Sequence, residues 1–336
     1  MLIDQLNRPL KDLRISVTDK CNFRCTYCMP EEVFGFKYEF LPRYKILTFE
    51  EITRLVTLFV QLGVTKVRLT GGEPLLRHQL EKLIGQLAQV AGLHDIALTT
   101  NGYFLAQKAQ MLKEAGLHRL TISLDTLAPE AFKRLAGGHL QLERVLEGIR
   151  AATDMGFSPI KINTVIQRGV NEHEILPLVR FARTHGHIIR FIEYMDVGNL
   201  NGWKMDEVVT ADEIVEIVSR EVPLIPVPKT QQNEVANRFK FDDGSGELGV
   251  IASVSQPFCT TCTRARLSAD GKIYTCLFGS DGLDVKTRMR QGAEDAELLE
   301  RIVSLWRGRF DRYSEERSSA TEGQNERRVE MYQIGG

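Results

Sequence analysis

The chain has 336 residues, 43% of them hydrophobic, and a formal net charge of −1. That length suits one large domain or two smaller ones with a sizeable core, and the near-neutral charge gives no electrostatic reason to expect nucleic acid or a membrane surface as partner. No run approaches the roughly 18 apolar residues of a membrane span, and the first residues lack the apolar core of a signal sequence, so a cytoplasmic protein is expected.

Residues 13–17 alternate and predict a strand that runs into Cys21-Asn22-Phe23-Arg24-Cys25-Thr26-Tyr27-Cys28. Thr48-Phe49-Glu50-Glu51 has the form of a capping box opening a helix through Gln61. Leu55, Leu58, Phe59 and Leu62 form its apolar face, and Gly63 ends it. A strand over 64–70 leads into Gly71-Gly72-Glu73-Pro74. The rhythm then repeats, with helices over 78–90, 105–115, 142–155 and 172–184, and strands over 96–100, 119–124, 160–165 and 188–195. Six strands alternating with helices argue for a parallel sheet with helices outside it. Six units are too few for a closed eight-stranded barrel, so an open, partial (β/α)6 barrel is expected.

A second capping box opens at Thr210, and the pattern then changes. Pro223, Pro226 and Pro228 are expected to break regular structure, and 229–246 reads as a polar loop. Short strands are expected near 248–253, 264–267 and 272–275, with Asp270-Gly271 as a hairpin turn. A helix over 293–305 follows, then a charged stretch from Asp311 to Gly336. The expected division is 1–228 for the barrel, 229–310 for a C-terminal region and 311–336 for a tail.

Six cysteines in a long chain without a signal point to metal binding before disulfides. They form two triplets, Cys21/Cys25/Cys28 and Cys259/Cys262/Cys276. Three thiolates on one loop can ligate three irons of a 4Fe-4S cube and leave the fourth iron open to a substrate or cofactor. A zinc site would want a fourth Cys or His nearby. Neither triplet has one in sequence, since every His lies between His78 and His187. Arg264 and Arg266 alternate just beyond Cys262, so they share a face beside the second triplet and suit an anionic ligand.

In parallel βα sheets reactive groups collect at the carboxyl ends of the strands. Here those ends carry Gly71-Gly72, Thr99, Ser123, Lys161 and Met195. Met195 by itself reads as a core methionine. Lys66 and Arg68 share a face, and spacing alone slightly favours a solvated or salt-bridged pair over a ligand site.

CxxxCxxC with Tyr27 before its last cysteine, followed one βα unit later by Gly71-Gly72-Glu73-Pro74, resembles the radical S-adenosylmethionine (SAM) enzymes. The resemblance implies a 4Fe-4S cluster on Cys21, Cys25 and Cys28, with SAM held by Tyr27, Gly72, Ser123 and Met195. Adding Leu13-Arg14-Ile15-Ser16-Val17, Cys259-x-x-Cys262-x-Arg264-x-Arg266, Ala269-Asp270-Gly271, Cys276-Leu277 and the terminal Gly335-Gly336, nearly the whole chain resembles the GTP 3′,8-cyclases.

That resemblance implies a second 4Fe-4S cluster on Cys259, Cys262 and Cys276, its open iron meeting the guanine of GTP. It implies GTP contacts from Arg14, Arg68, Thr99, Lys161, Arg264 and Arg266, and a Gly335-Gly336 tail in the active site as catalytic apparatus. It implies that a 5′-deoxyadenosyl radical takes hydrogen from ribose C3′, giving 3′,8-cyclo-7,8-dihydro-GTP in molybdenum cofactor biosynthesis. It implies also an electron donor such as flavodoxin, a downstream cyclic pyranopterin monophosphate synthase, and a homodimer. The run Asn233-Glu234-Val235-Ala236-Asn237 departs from the family pattern. Competing readings are a peptide-modifying radical SAM maturase with an auxiliary cluster, and a non-enzymatic iron–sulfur electron carrier. The first would carry more C-terminal cysteines, and the second would need neither two open irons nor a barrel of this size.

Overall fold

The computed structural model describes the chain except residues 36, 139, 231–232, 321–327 and 336. Its strands are β1 (Asp12–Ser16), β2 (Lys66–Thr70), β3 (Asp95–Thr100), β4 (Arg119–Ser123), β5 (Lys161–Ile166), β6 (Ile188–Glu193), β7 (Leu224–Val227), β8 (Asn237–Phe241), β9 (Glu247–Ile251), β10 (Arg264–Leu267), β11 (Lys272–Tyr274) and β12 (Leu283–Asp284). They form one sheet in the order β12-β11-β10-β1-β2-β3-β4-β5-β6-β9-β8-β7. The six expected strands run parallel from β1 to β6. Two more parallel strands come from the C-terminal region: β10 beside β1 and β9 beside β6. The curved sheet therefore has eight parallel strands, with no pairing between β9 and β10 among the described residues.

The period of two explains why this sheet can host a site. One face carries Leu13, Ile15, Val67, Leu69, Ile96, Leu98, Leu120, Ile122, Ile162, Ile189 and Phe191, all buried under the helices. The other face carries Asp12 and Arg14, Lys66 and Arg68, Arg119, Lys161 and Asn163, Arg190, and Arg264 and Arg266, which line the cavity, and Thr121, which accepts from Arg68. Closed barrels of this type pack their interior with branched apolar side chains. Here the branched apolar side chains of β1–β6 pack mainly on the outer face, and the lumen carries a band of charged and polar side chains among apolar ones.

Both capping boxes form as expected. Glu51 N donates to Thr48 Oγ1 at 3.2 Å and Thr48 N to Glu51 Oε2 at 2.8 Å, opening helix Phe49–Gln61; such a cap contributes about 1 kcal/mol. The second opens helix Ala211–Ser219.

The proline-rich stretch corrects the reading of residues 223–246. Leu224–Val227 is a strand, and Asn237–Phe241 within the expected loop is its antiparallel partner. Pro226 is tolerated because β7 ends the sheet, where a missing N–H costs no ladder bond. Helices Glu31–Phe34, Pro129–Ala136 and Lys286–Arg290 escaped sequence reading. The charged tail also holds structure: helix Tyr313–Ala320 and a single turn, Met331–Ile334. Helix Tyr313–Ala320 reaches both edges of the open side. Its Glu315 accepts from Thr260 N ahead of β10 at 3.0 Å, and its Arg317 donates to Ser253 O beyond β9 at 3.3 Å.

Candidate active site

The lumen is a cavity of about 900 Å³ lined by both cysteine triplets and the inward faces of the parallel strands. Topology places the triplets at opposite ends. Cys21, Cys25 and Cys28 follow β1, at its carboxyl end. Cys262 precedes β10, which is parallel to β1, and Cys276 follows β11, which is antiparallel to β10. The second triplet therefore sits at the amino end, and the length of β1, about 13–16 Å at 3.3 Å per residue, separates the two levels.

Arginines hold each cysteine loop by its carbonyls. At the first, Arg24 donates to Cys21 O at 2.9 Å, Phe23 O at 2.8 Å and Phe34 O at 2.6 Å. Gly71 and Gly72 pack on this loop's approach. A Cβ on Gly72 would lie 2.3 Å from Lys20 O, and one on Gly71 2.5 Å from Thr18 O. Close loop packing thus explains the paired glycines independently of any ligand. At the second loop, Arg8 donates to Cys259 O at 2.9 Å and Arg309 to Cys262 O at 2.7 Å. Both are buried and share Asp4, at 2.6 and 3.5 Å. Asp311 pairs with Arg309 at 2.8 Å and accepts from Thr275 Oγ1, beside Cys276, at 2.6 Å. This brace was not legible in sequence, because its members are some 300 positions apart.

The electrostatics of the two ends differ. Burial first, then neighbouring carboxylates and thiols, pushes the first triplet's thiols up, Cys21 to about 12. Glu73, buried, is pushed up to about 7 despite accepting from Thr100 Oγ1 (2.6 Å), Asn101 N (2.7 Å) and Leu75 N (2.9 Å). Asn101 in turn donates to Asn22 Oδ1 at 2.9 Å, tying β3 to the cysteine loop. Tyr27 Oη donates to Asp125 Oδ2 at 2.7 Å, and burial raises Asp125 to about 6.

At the other end burial also raises Cys262, but Arg264 and Arg309 outweigh it and bring the thiol down to about 6. The lumen between is strongly positive. Burial and neighbouring cations lower Arg14 well below its usual range, Arg68 to about 10, Arg190 and Arg266 to about 9, and Lys161 to about 8.

Every sequence-predicted cysteine, and each of Arg14, Tyr27, Arg68, Gly72, Thr99, Ser123, Lys161, Met195, Arg264 and Arg266, lines this one cavity. The spacing-based preference for a solvated Lys66/Arg68 pair is corrected for Arg68, which points inward and donates to Thr99 Oγ1 and Thr121 Oγ1, both at 3.0 Å. Lys66 does make an ion pair, with Asp12 at 3.4 Å. Gly335 lies at φ +73° with its carbonyl accepting from Arg266 Nη1. A Cβ there would fall 1.7 Å from Thr70 Oγ1. Gly336 lies outside the described residues.

The comparisons with known proteins divide the chain as its chemistry does. Residues 15–182 match the model of the Radical SAM superfamily, and 187–315 match Molybdenum Cofactor Synthesis C. A protein of Acidothermus cellulolyticus named GTP 3′,8-cyclase is 52% identical, over 99% of this chain and 98% of its own length. One of the same name from Staphylococcus saprophyticus is 48% identical, over 100% and 99%. The chain belongs to the GTP 3′,8-cyclase family of radical SAM proteins. Among solved structures, Streptococcus suis SuiB bound to S-adenosylmethionine superposes with a TM-score of 0.62 at 16% identity, covering 95% of this chain and 69% of that one. That likeness concerns the fold.

Membership of a radical SAM family implies a 4Fe-4S cluster and SAM, and the residues fit them. The first triplet offers three thiols in one loop lining the cavity. Cations that sequence reading missed also line the lumen: Arg119, paired with Asp95, and Arg190. Arg190 Nε and Asn163 Oδ1, neighbours in register, are buried without a hydrogen-bond partner. Extending the alternation of Lys161 and Asn163 across to β6 would have flagged Arg190.

Proposed function

We propose that this chain converts GTP to (8S)-3′,8-cyclo-7,8-dihydro-GTP, the first committed chemistry of molybdenum cofactor biosynthesis. The observation that carries the reading is the lumen itself, with a thiol triplet at each end and, between them, Arg14, Arg68, Lys161, Arg190, Arg264 and Arg266, which make no ion pair with a carboxylate among the described residues. Buried cations without counter-charges are costly, and a triphosphate supplies the missing anions. Planar guanidinium groups suit its oxygens.

Cys21, Cys25 and Cys28 would hold the cluster that meets SAM, beside Tyr27, Gly72, Ser123 and Met195. Cys259, Cys262 and Cys276 would hold a second 4Fe-4S cluster. When bound, the first cluster and SAM supply the one-electron chemistry that removes hydrogen from ribose C3′. The chain's own residues do the rest. Arg14, Arg264, Arg266 and Lys161 orient the triphosphate, while Thr99 and Thr121 fix the Arg68 fork. Gly335, whose carbonyl accepts from Arg266, lies where any side chain would collide with Thr70, and with Gly336 it would serve as catalytic apparatus.

The proposal extends to a cytoplasmic homodimer served by an electron donor such as flavodoxin, with a cyclic pyranopterin monophosphate synthase consuming the product. The peptide-maturase alternative is not favoured, because the lumen is built for a polyanion and the relatives are named for a nucleotide. The test is anaerobic reconstitution with iron and sulfide, then incubation with SAM, a reductant and each nucleoside triphosphate in turn. A cyclised nucleotide from GTP alone is expected. Iron and sulfide near eight each per chain would accompany it, four from each cube. SAM cleavage with no nucleotide product under any triphosphate would overturn the reading.

A further inference from the structure

The loop after β6 does two things at once. It carries Met195, and its next four residues receive the C-terminal tail. The Asp196 carboxylate, buried, accepts from Tyr313 Oη, from Arg317 Nε at 2.9 Å and from Arg328 Nη1 at 3.3 Å. Arg328 Nη1 also donates to Asp196 O at 3.1 Å, and its guanidinium lies 4.3 Å from the Tyr313 ring centre.

Asn199 holds the tail's backbone from both sides. Its Nδ2 donates to Arg328 O at 2.7 Å, and its Oδ1 accepts from Arg328 N at 3.1 Å. Asn199 N and Nδ2 donate to Glu330 Oε1 at 3.0 and 2.9 Å. Gly198, at φ +76°, leaves room for that carboxylate. A Cβ there would fall 2.1 Å from Glu330 Oε2. The loop is itself rigid: Asn201 Nδ2 donates to Met195 O at 3.0 Å, Tyr194 Oη to Asn201 O at 2.9 Å, and Trp203 Nε1 to Tyr194 O at 2.8 Å.

Glu330 is the N-cap of the turn Met331–Ile334, and its backbone N–H donates to Gln333 Oε1 at 3.2 Å. The residue that Asn199 grips is therefore the one that starts the last turn, and Gly335 follows that turn directly. A second pin lies further along, where the Tyr332 and Tyr38 hydroxyls share a hydrogen bond of 2.6 Å. With the N-cap and one side chain fixed, the direction of a single turn is fixed, and with it the place where Gly335 meets Thr70 and Arg266.

We infer that the segment from Asp196 to Asn199 is the dock of the C-terminal tail, with Asp196 and Asn199 as positioning residues for Gly335. Because Met195 belongs to the same rigid loop, the dock sets tail and SAM contact in one frame. Formation of the dock makes SAM cleavage productive. This inference rests on the cyclase reading for its catalytic consequence, while the docking itself stands apart from it.

The test uses full-length reconstituted protein and two readouts. Asn199→Ala removes three side-chain hydrogen bonds, two with Arg328 and one with Glu330, at an exposed position, so the fold and both clusters should persist. Amide hydrogen exchange over 331–335 should quicken by roughly tenfold, as for the loss of one or two net hydrogen bonds. The ratio of 5′-deoxyadenosine to cyclised nucleotide should rise by a similar factor, with KM for GTP unchanged. Asn199→Asp sets a carboxylate against Glu330 and should be worse, while adding Glu330→Gln should restore most of the coupling.

Unchanged exchange in both Asn199 variants would overturn the dock. Faster exchange with unchanged coupling would overturn the positioning role. Failure of the cyclase reading would look different, because the unmodified protein would make no nucleotide product while its tail exchange still responded to Asn199→Ala.

Discussion

The two cysteine triplets face one cavity from opposite ends, in opposite surroundings. The first sits among Glu73, Asp125 and Tyr27, with its arginine, Arg24, spent on backbone carbonyls. The second sits against Arg264 and Arg309, close enough to pull the Cys262 thiol down to about 6 while burial pushes Cys21 up to about 12. On the proposed reading, identical donor sets would take different ligands because of what lies next to them. Carboxylates suit the end that would receive the amino group of SAM, and guanidinium groups suit the end that would receive a polyanion.

The sharpest way to break this comparison is to remove each triplet in turn. Replacing Cys21, Cys25 and Cys28 by Ala should abolish SAM cleavage. Replacing Cys259, Cys262 and Cys276 should leave SAM cleavage measurable but remove the cyclised nucleotide. Product from the second triple variant would show that the substrate site is elsewhere.

Next in size is Gly335→Ala. The new Cβ would meet Thr70 Oγ1 and hold a backbone of φ +73° that an alanine resists. Strain of this kind costs about 1–3 kcal/mol, so the product rate should fall by roughly ten- to a hundredfold. GTP binding, measured by equilibrium dialysis, should change little. A full-speed variant would show that the tail's contact with Arg266 has no part in turnover.

Arg264→Ala and Arg266→Ala probe the basic end. Each should weaken GTP binding by about 1.5–3 kcal/mol, the worth of a charged hydrogen bond, and should weaken guanosine binding less. Equal losses for both ligands would place these arginines in service of the fold or the cluster.

The smallest effect concerns pH. Burial, with Arg190, Arg119 and Arg68 nearby, lowers Lys161 to about 8 in the free protein. A bound triphosphate stabilises the charged amine and raises its pKa. Above pH 8 the complex therefore holds more protons than the free protein, and GTP binding must weaken as pH rises through that point, by up to about tenfold per unit. Below about pH 7 Lys161 should add no slope. Titrating Kd from pH 7 to 9.5 for the parent and for Lys161→Met should show a slope in the first that is absent in the second.

Local chemistry was the most legible part of the chain. Capping boxes at Thr48 and Thr210, the six βα units and the hairpin around Asp270-Gly271 all rest on neighbours within a few positions, so short-range patterns reveal them. The edge strands at 224–227 and 237–241 were missed because Pro226 reads as a breaker unless its strand is known to lie at a sheet edge. Arg68 was misjudged from spacing because alternation tells which residues share a face and not which way that face looks.

What the sequence determined by itself was the donor inventory: two thiol triplets, the arginines beside the second, and the strands that carry the rest. Only the tertiary structure decided that β9 and β10 join the same sheet and set the triplets at opposite ends of one lumen. Only it brought Arg8, Asp4, Arg309 and Asp311 together beneath the second cysteine loop, and Asn199 onto Glu330. Such contacts join residues 130 to 300 positions apart. Their existence depends on how a closed outer core turns the inner face of the sheet, and no local pattern encodes that.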